Sequence, residues 1–183
     1  MLEKLFERLS AALQEAEIPY MIIGGQAVLL YGEPRLTKDV DITVGIGLDR
    51  LSEILSAALA AGLKALVDPE TFTKETLVLP CADSESGLRV DFILSFSPFE
   101  QLAISRARVV RVGNVDLRFA SLEDLIIHKL FAGRARDMED VKNMLLKNPA
   151  ADMSYIRHWL GEFSAATGEA YMERLNHIIN DMA

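Results

Sequence analysis

The segment Asp39-Val-Asp-Ile-Thr-Val constrains this chain more than any other. Side chains alternate along a strand, so Val40, Ile42 and Val44 share one face, and Asp39, Asp41 and Thr43 the other. The apolar row predicts a face packed on a core, and the acidic row sets two carboxylates side by side. Like charges this close repel, and one takes up a proton unless a cation lies between them. A hard divalent cation such as magnesium accepts one or two carboxylates and completes its shell with water and phosphate oxygens. Arg89-Val-Asp-Phe-Ile-Leu repeats the pattern, with Val90, Phe92 and Leu94 inward and Asp91 opposite them beside Arg89 and Ile93. If the two strands pair, three carboxylates converge, enough to hold two ions roughly 3.5 to 4 Å apart. The residues alone equally suit a solvated strand face, and both readings stay open.

Upstream, Tyr20 to Ile23 reads as a buried strand that ends at Gly24-Gly25, with a short helix over residues 26–31. The glycine turn offers backbone N–H groups at a helix start, a seat for phosphate oxygens, although a tight turn alone explains two glycines as well. Arg35 and Thr37 add a cation and a hydroxyl just before the acids. Further helices are expected over residues 2–16 and 48–61, and further strands over 71–79, 88–94, 109–112 and 115–119, the last two joined at Gly113-Asn114. From Ser121 helical periodicity dominates, opened by a capping box with Asp124 in its third position and broken near Gly133, Asn148-Pro149 and Gly168. The fold class is therefore α/β (α+β), a sheet-bearing part over residues 1–120 and a C-terminal helical part over 121–183.

Composition narrows the partners. The net charge of −8 argues against a general polyphosphate-binding surface. Cys81 is the single cysteine, so neither a disulfide framework nor a cysteine zinc cluster is available. The first 17 residues carry six charges where a secretory signal would be apolar, and no run approaches a membrane span, so a cytoplasmic location is expected. Lys129 falls inside an apolar arc with Leu122, Leu125, Ile126 and Leu130, and must snorkel, pair or reach a ligand. Asp137 and Asp140 lie one helical turn apart, open to pairing with Lys129 or Arg136, to an active-site wall or to solvent. The three histidines show no metal-ligand spacing. Arg106, Arg108, Arg111 and Arg118 suit a charged edge hairpin or a guide for RNA.

Gly24-Gly-Gln-Ala followed by Arg35-Leu-Thr-Lys-Asp-Val-Asp-Ile, with Asp91 on a later strand, resembles the signature of the polymerase-β-like nucleotidyltransferases. The stretch from Ser121 to Val141 resembles the helical segment of the AbiEii-type branch, which includes toxins of toxin–antitoxin and phage-defence systems. The resemblance spans residues 22–141. It implies a mixed sheet flanked by helices, with magnesium or manganese and a nucleoside triphosphate as co-substrate. By the same resemblance Asp39, Asp41 and Asp91 bind metal, and Asp91 helps deprotonate the acceptor. Gly24, Gly25, Arg35, Thr37 and Lys129 contact the nucleotide, with Asp137 and Asp140 in a second tier. The acceptor hydroxyl belongs to an RNA end such as tRNA, a protein or a small molecule, and an antitoxin protein is an implied partner. Many relatives carry serine after the first glycine, where Gly25 leaves only a backbone N–H. The alternative is a catalytically inactive module of the same fold that binds a nucleotide or a partner.

Overall fold

Leu5, Phe6, Leu9, Ala12 and Leu13 recur at helical spacing and are all buried, which makes residues Leu2–Glu15 an amphipathic helix, α1, laid on a core. The computed structural model describes residues 1–34, 36–95 and 97–182. After α1 come β1 (Tyr20–Ile23), α2 (Gly24–Tyr31), β2 (Asp39–Val44), α3 (Leu51–Ala60, entered by one 3₁₀ turn), β3 (Leu63–Ala65), α4 (Pro69–Thr76), β4 (Val78–Asp83) and β5 (Arg89–Leu94). Then follow α5 (Pro98–Ser105), β6 (Arg108–Val112), β7 (Val115–Phe119) and the helices α6 (Leu122–Ala132), α7 (Ala135–Lys147), α8 (Met153–Thr167) and α9 (Tyr171–Met182).

The seven strands form one mixed sheet in the order β3-β4-β5-β2-β1-β7-β6. β2 pairs β5 in parallel, as β1 pairs β7, and the remaining pairings are antiparallel. Central strands are buried on the face carrying Val40, Ile42, Val44, Val90, Phe92 and Leu94, each at most 1% exposed. The alternating and helical periods predict an α/β (α+β) chain, and the mixed sheet flanked by helices is the arrangement that the family resemblance implies.

The structure departs from the expected elements at several points. Residues 71–79 do not form one strand: α4 occupies Pro69–Thr76, and β4 starts only at Val78. The local chemistry explains it, since Asp68 caps the helix by accepting the Thr71 N–H and Pro69 sits in the first turn, where its missing N–H costs nothing. Leu77 then turns left-handed at φ 58° and redirects the chain into the strand. Helix α5 was not expected; Ser97 caps it by accepting the Glu100 N–H, again with proline next in line.

The chain divides into two compact units. The first comprises residues Met1–Gln26 and Thr37–Ala120, holding the whole sheet; the second comprises Ala27–Leu36 and Ser121–Ala183. Helix α2 begins in the first and continues in the second. In the first, Arg8 of α1 pairs with Asp83 at the end of β4, tying helix to sheet. Within the second, Asn148 donates from Nδ2 to the Tyr31 carbonyl at 2.9 Å and Lys147 donates to the Gly32 carbonyl at 2.9 Å, which fastens the end of α2 to the end of α7. Ser121 caps α6 by accepting the Asp124 N–H, as its sequence pattern predicts. Among the described residues no helix is long and apolar enough to cross a membrane.

Candidate active site on the sheet

The parallel register of β2 and β5 sets Asp39 opposite Arg89 and Asp41 opposite Asp91. Register partners in neighbouring strands stand about 4.8 Å apart and point their side chains to the same face. Three carboxylates and one guanidinium therefore share one patch of the sheet, a local charge of −2 when all four are ionised. Asp39 is exposed, and Asp41 and Asp91 are half-buried. The opposite, apolar faces of the same two strands hold these acids in place by packing.

Strand β1 delivers the glycine turn to the same patch. Ile23 is the register partner of Asp41, and the next residue, Gly24, adopts φ 62° as α2 begins. A methyl group at Gly24 would overlap Asp41 Oδ2 and stand 2.8 Å from its Cγ. Only glycine lets the Asp41 carboxylate lie directly against the start of α2, where the first N–H groups of a helix lack intrahelical partners. Gln26 donates from Nε2 to the Asp39 carbonyl at 3.4 Å, and Thr37 donates from Oγ1 to the same carbonyl at 3.4 Å, so turn and strand are also linked by hydrogen bonds. Arg35 lies outside the described residues.

Asp91 is engaged by its strand neighbour. Arg89 donates from Nε to both carboxylate oxygens, at 2.8 and 3.0 Å, and the Asp91 hydrogen bond is the main cause that pushes the guanidinium pKa up. Both residues project from the acidic face because they are two apart on β5, a spacing already visible in the sequence.

These residues suit a hard divalent cation. The donors are carboxylate oxygens on two rigid strands, and the space a Cβ would fill at Gly24 is left for the Asp41 carboxylate. Among the described residues no three acidic, imidazole or thiol side chains are drawn together as a metal cage, and Asp91 meets Arg89 instead. Cys81, on β4 beside β5, supplies no thiolate: burial, and secondarily the charge of Asp91, push its thiol up to about 12. A cavity of about 860 Å³ lies elsewhere in the first unit, around Tyr20, Ser10 and Arg118. Tyr20 is at the opposite end of β1 from the partner of Asp41. Charge, glycine turn and strand register coincide at the acids.

The helical unit holds its own charged cluster. Lys129 of α6 donates to Asp137 Oδ1 and Asp140 Oδ2 of α7, both at 2.8 Å, with all three side chains at most 7% exposed. Asp137 also accepts the Arg134 backbone N–H at 3.3 Å and Arg134 Nε at 2.6 Å, closing the first turn of α7. Burial alone would raise the Asp137 pKa, but the hydrogen bonds from Arg134 and Lys129 outweigh it and hold it low. The partners of Asp137 are thus Lys129 and Arg134. Arg111 of the arginine-rich hairpin pairs with Asp116, and Arg118 donates to the Ile104 carbonyl.

A family model described as "Nucleotidyltransferase of unknown function (DUF6036)" matches residues 104–179. Among solved structures, the solution structure of the antibiotic-resistance factor ANT(2'')-Ia is similar at a TM-score of 0.63 and 16% identity, covering 96% of this chain and 97% of that one. A crystal structure of ANT(2'')-Ia in complex with adenylyl-2''-tobramycin aligns at 0.60 and 16% identity over 86% and 95% of the two chains. The lincomycin-bound lincosamide antibiotic adenylyltransferase LnuA aligns at 0.54 and 17% identity over 79% and 96%. No curated protein matches by sequence. At these identities the likeness is one of fold, and the fold is that of the nucleotidyltransferases.

Proposed function

We propose that the protein is a metal-dependent nucleotidyltransferase, which moves a nucleoside monophosphate from a nucleoside triphosphate to a hydroxyl acceptor. The observation that carries this reading is the register of Asp41 against Asp91 beside a glycine turn that only a Cβ-less residue can make. A divalent cation, magnesium or manganese, held by Asp39, Asp41 and Asp91 supplies Lewis-acid polarisation of the phosphate and charge neutralisation. The N–H groups at Gly24 and Gly25 bind phosphate oxygens, with Thr37 and Arg35 beside them. Asp91 accepts the acceptor's hydroxyl proton as that oxygen attacks the α-phosphorus, and the bond to pyrophosphate breaks in line.

Lys129 serves as a phosphate ligand in this proposal only by leaving two buried carboxylates; its pairing with Asp137 and Asp140 favours an internal role. The likeness to antibiotic adenylyltransferases favours a small polyhydroxylated acceptor over tRNA or a protein. The AbiEii-type resemblance of residues 121–141 supports a second setting, a toxin neutralised by an antitoxin protein, in the cytoplasm.

The test is direct. Purified protein is incubated with each α-labelled triphosphate, magnesium, and aminoglycoside, lincosamide, tRNA or cell extract. The expected outcome is a labelled product that disappears with Asp41→Ala. Absence of any such product, together with nucleotide binding indifferent to magnesium, identifies an inactive binding module instead.

A further inference from the structure

We propose that Arg89 is a resident counter-ion of the acidic patch, one that Asp91 exchanges for a divalent cation and that then turns to the phosphates of the nucleotide. The inference rests on the metal-site reading above. Arg89 Nε bonds both oxygens of Asp91, at 2.8 and 3.0 Å, so a metal approaching this carboxylate meets a cation already seated across the pair and competes with it for the same charge. The guanidinium is also the register partner of Asp39 and is drawn electrostatically by Asp39 and Asp41 as well as by Asp91. Three carboxylates on neighbouring strands repel, and one fixed cation among them lowers that cost while the patch holds no metal.

Arg89 is suited to leave. Its side chain is 51% exposed against 16% for Asp91, so the ion pair is worth little in water and breaks without unfolding anything. Once displaced, it remains on the same sheet face next to Asp39, at the place where a metal-bound triphosphate brings several negative oxygens. A planar guanidinium with five donors matches phosphate oxygens closely. No bond is made or broken in the exchange: one cation replaces another on Asp91, and the first re-pairs with phosphate.

The role makes opposite demands on two measurements. Manganese binding to the nucleotide-free protein is read by electron paramagnetic resonance, and triphosphate binding at saturating metal by calorimetry. Arg89→Gln is expected to bind manganese roughly two- to fivefold tighter, the size of a half-exposed ion pair. The same variant is expected to bind triphosphate roughly tenfold more weakly, as for loss of one charge-assisted contact. Arg89→Lys keeps the charge and is expected to hold manganese within about twofold of the parent. A merely structural arginine would move both affinities the same way. Unchanged or weaker manganese binding in Arg89→Gln overturns the proposal, as does unchanged triphosphate binding. If the parent binds manganese and Asp91→Asn loses it, an indifferent Arg89→Gln sinks the counter-ion role alone. If no form binds manganese, the metal-site reading fails and takes this inference with it.

Discussion

Two clusters of aspartates with a basic partner exist in this protein, and they answer to different physics. On the sheet, Asp39, Asp41 and Asp91 share one face, and Asp91 pairs with the half-exposed Arg89. In the helical unit, Asp137 and Asp140 grip Lys129 with all three side chains nearly sealed from water. The open cluster carries surplus negative charge and can exchange its cation. In the sealed one, removing Lys129 strands two carboxylates in low dielectric. Similar residues therefore make an accessible patch in one place and a clamp in the other, and burial decides which.

That contrast can be broken by experiment, beginning with its largest consequence. Asp41→Asn is expected to lower nucleotidyl transfer by about 10³-fold or more with a much smaller effect on the unfolding midpoint, because charge stabilisation of the transferred phosphate is lost while the isosteric amide keeps the packing against Gly24. Rate assays beside thermal melts check it, and a melt collapsed by this change would make the open cluster structural after all. Lys129→Met should do the reverse, costing roughly 3 to 5 kcal/mol of stability by denaturant unfolding, since two buried carboxylates lose their shared ammonium. A fully stable Lys129→Met that fails only in binding triphosphate would move Lys129 into the nucleotide site.

Gly24→Ala sharpens the open side. The added methyl displaces the Asp41 carboxylate and strains a left-handed residue, so transfer should fall by about 10²-fold, the scale of an ångström-sized misplacement. On the sealed side, His128 of α6 is buried and its pKa is lowered to about 4, chiefly by desolvation and against the opposing charge of Asp124. Its folded pKa lies below the unfolded value, so protonation favours unfolding. Stability should fall by about 2 kcal/mol between about pH 7.5 and pH 5 from this residue. His128→Gln should flatten the slope in unfolding titrations. Asp137 adds a loss at lower pH, where its depressed carboxyl is protonated and releases Lys129 and Arg134. At the small end, Arg50→Gln removes an exposed pair with Glu53 and should leave the unfolding midpoint unchanged within the error of a denaturant melt.

The sequence carried much of this in its periods. Alternation at residues 39–44 and 89–94 placed the acids and the core rows on the faces they occupy. Caps at Ser121 and breaks at Gly133 and Gly168 marked the helices of the second unit. Helix α4 was misread because Thr71, Phe72 and Thr73 favour strands by composition, while the cap at Asp68 and Pro69 acts before them and decides the local conformation. Helix α5 has the same cap chemistry at Ser97 and Pro98, and that signal was legible but unread.

The sequence by itself determined which side chains could share a face, since a strand's two-residue period admits no other arrangement of Asp39, Asp41 and Thr43. It could not determine which strands lie side by side. Pairing β2 with β5, with Asp41 against Asp91, joins segments 50 residues apart, and only the tertiary structure selects one register among several that bury the same valines. Pairing in the helical unit is undetermined for the same reason: the apolar arc marks Lys129 as needing a partner, and only the packing of α6 on α7 makes that partner Asp137 and Asp140 and buries all three. The contact between Gly24 and Asp41 likewise joins the start of α2 to β2, and only their packing turns a flexible glycine into a residue nothing else can replace.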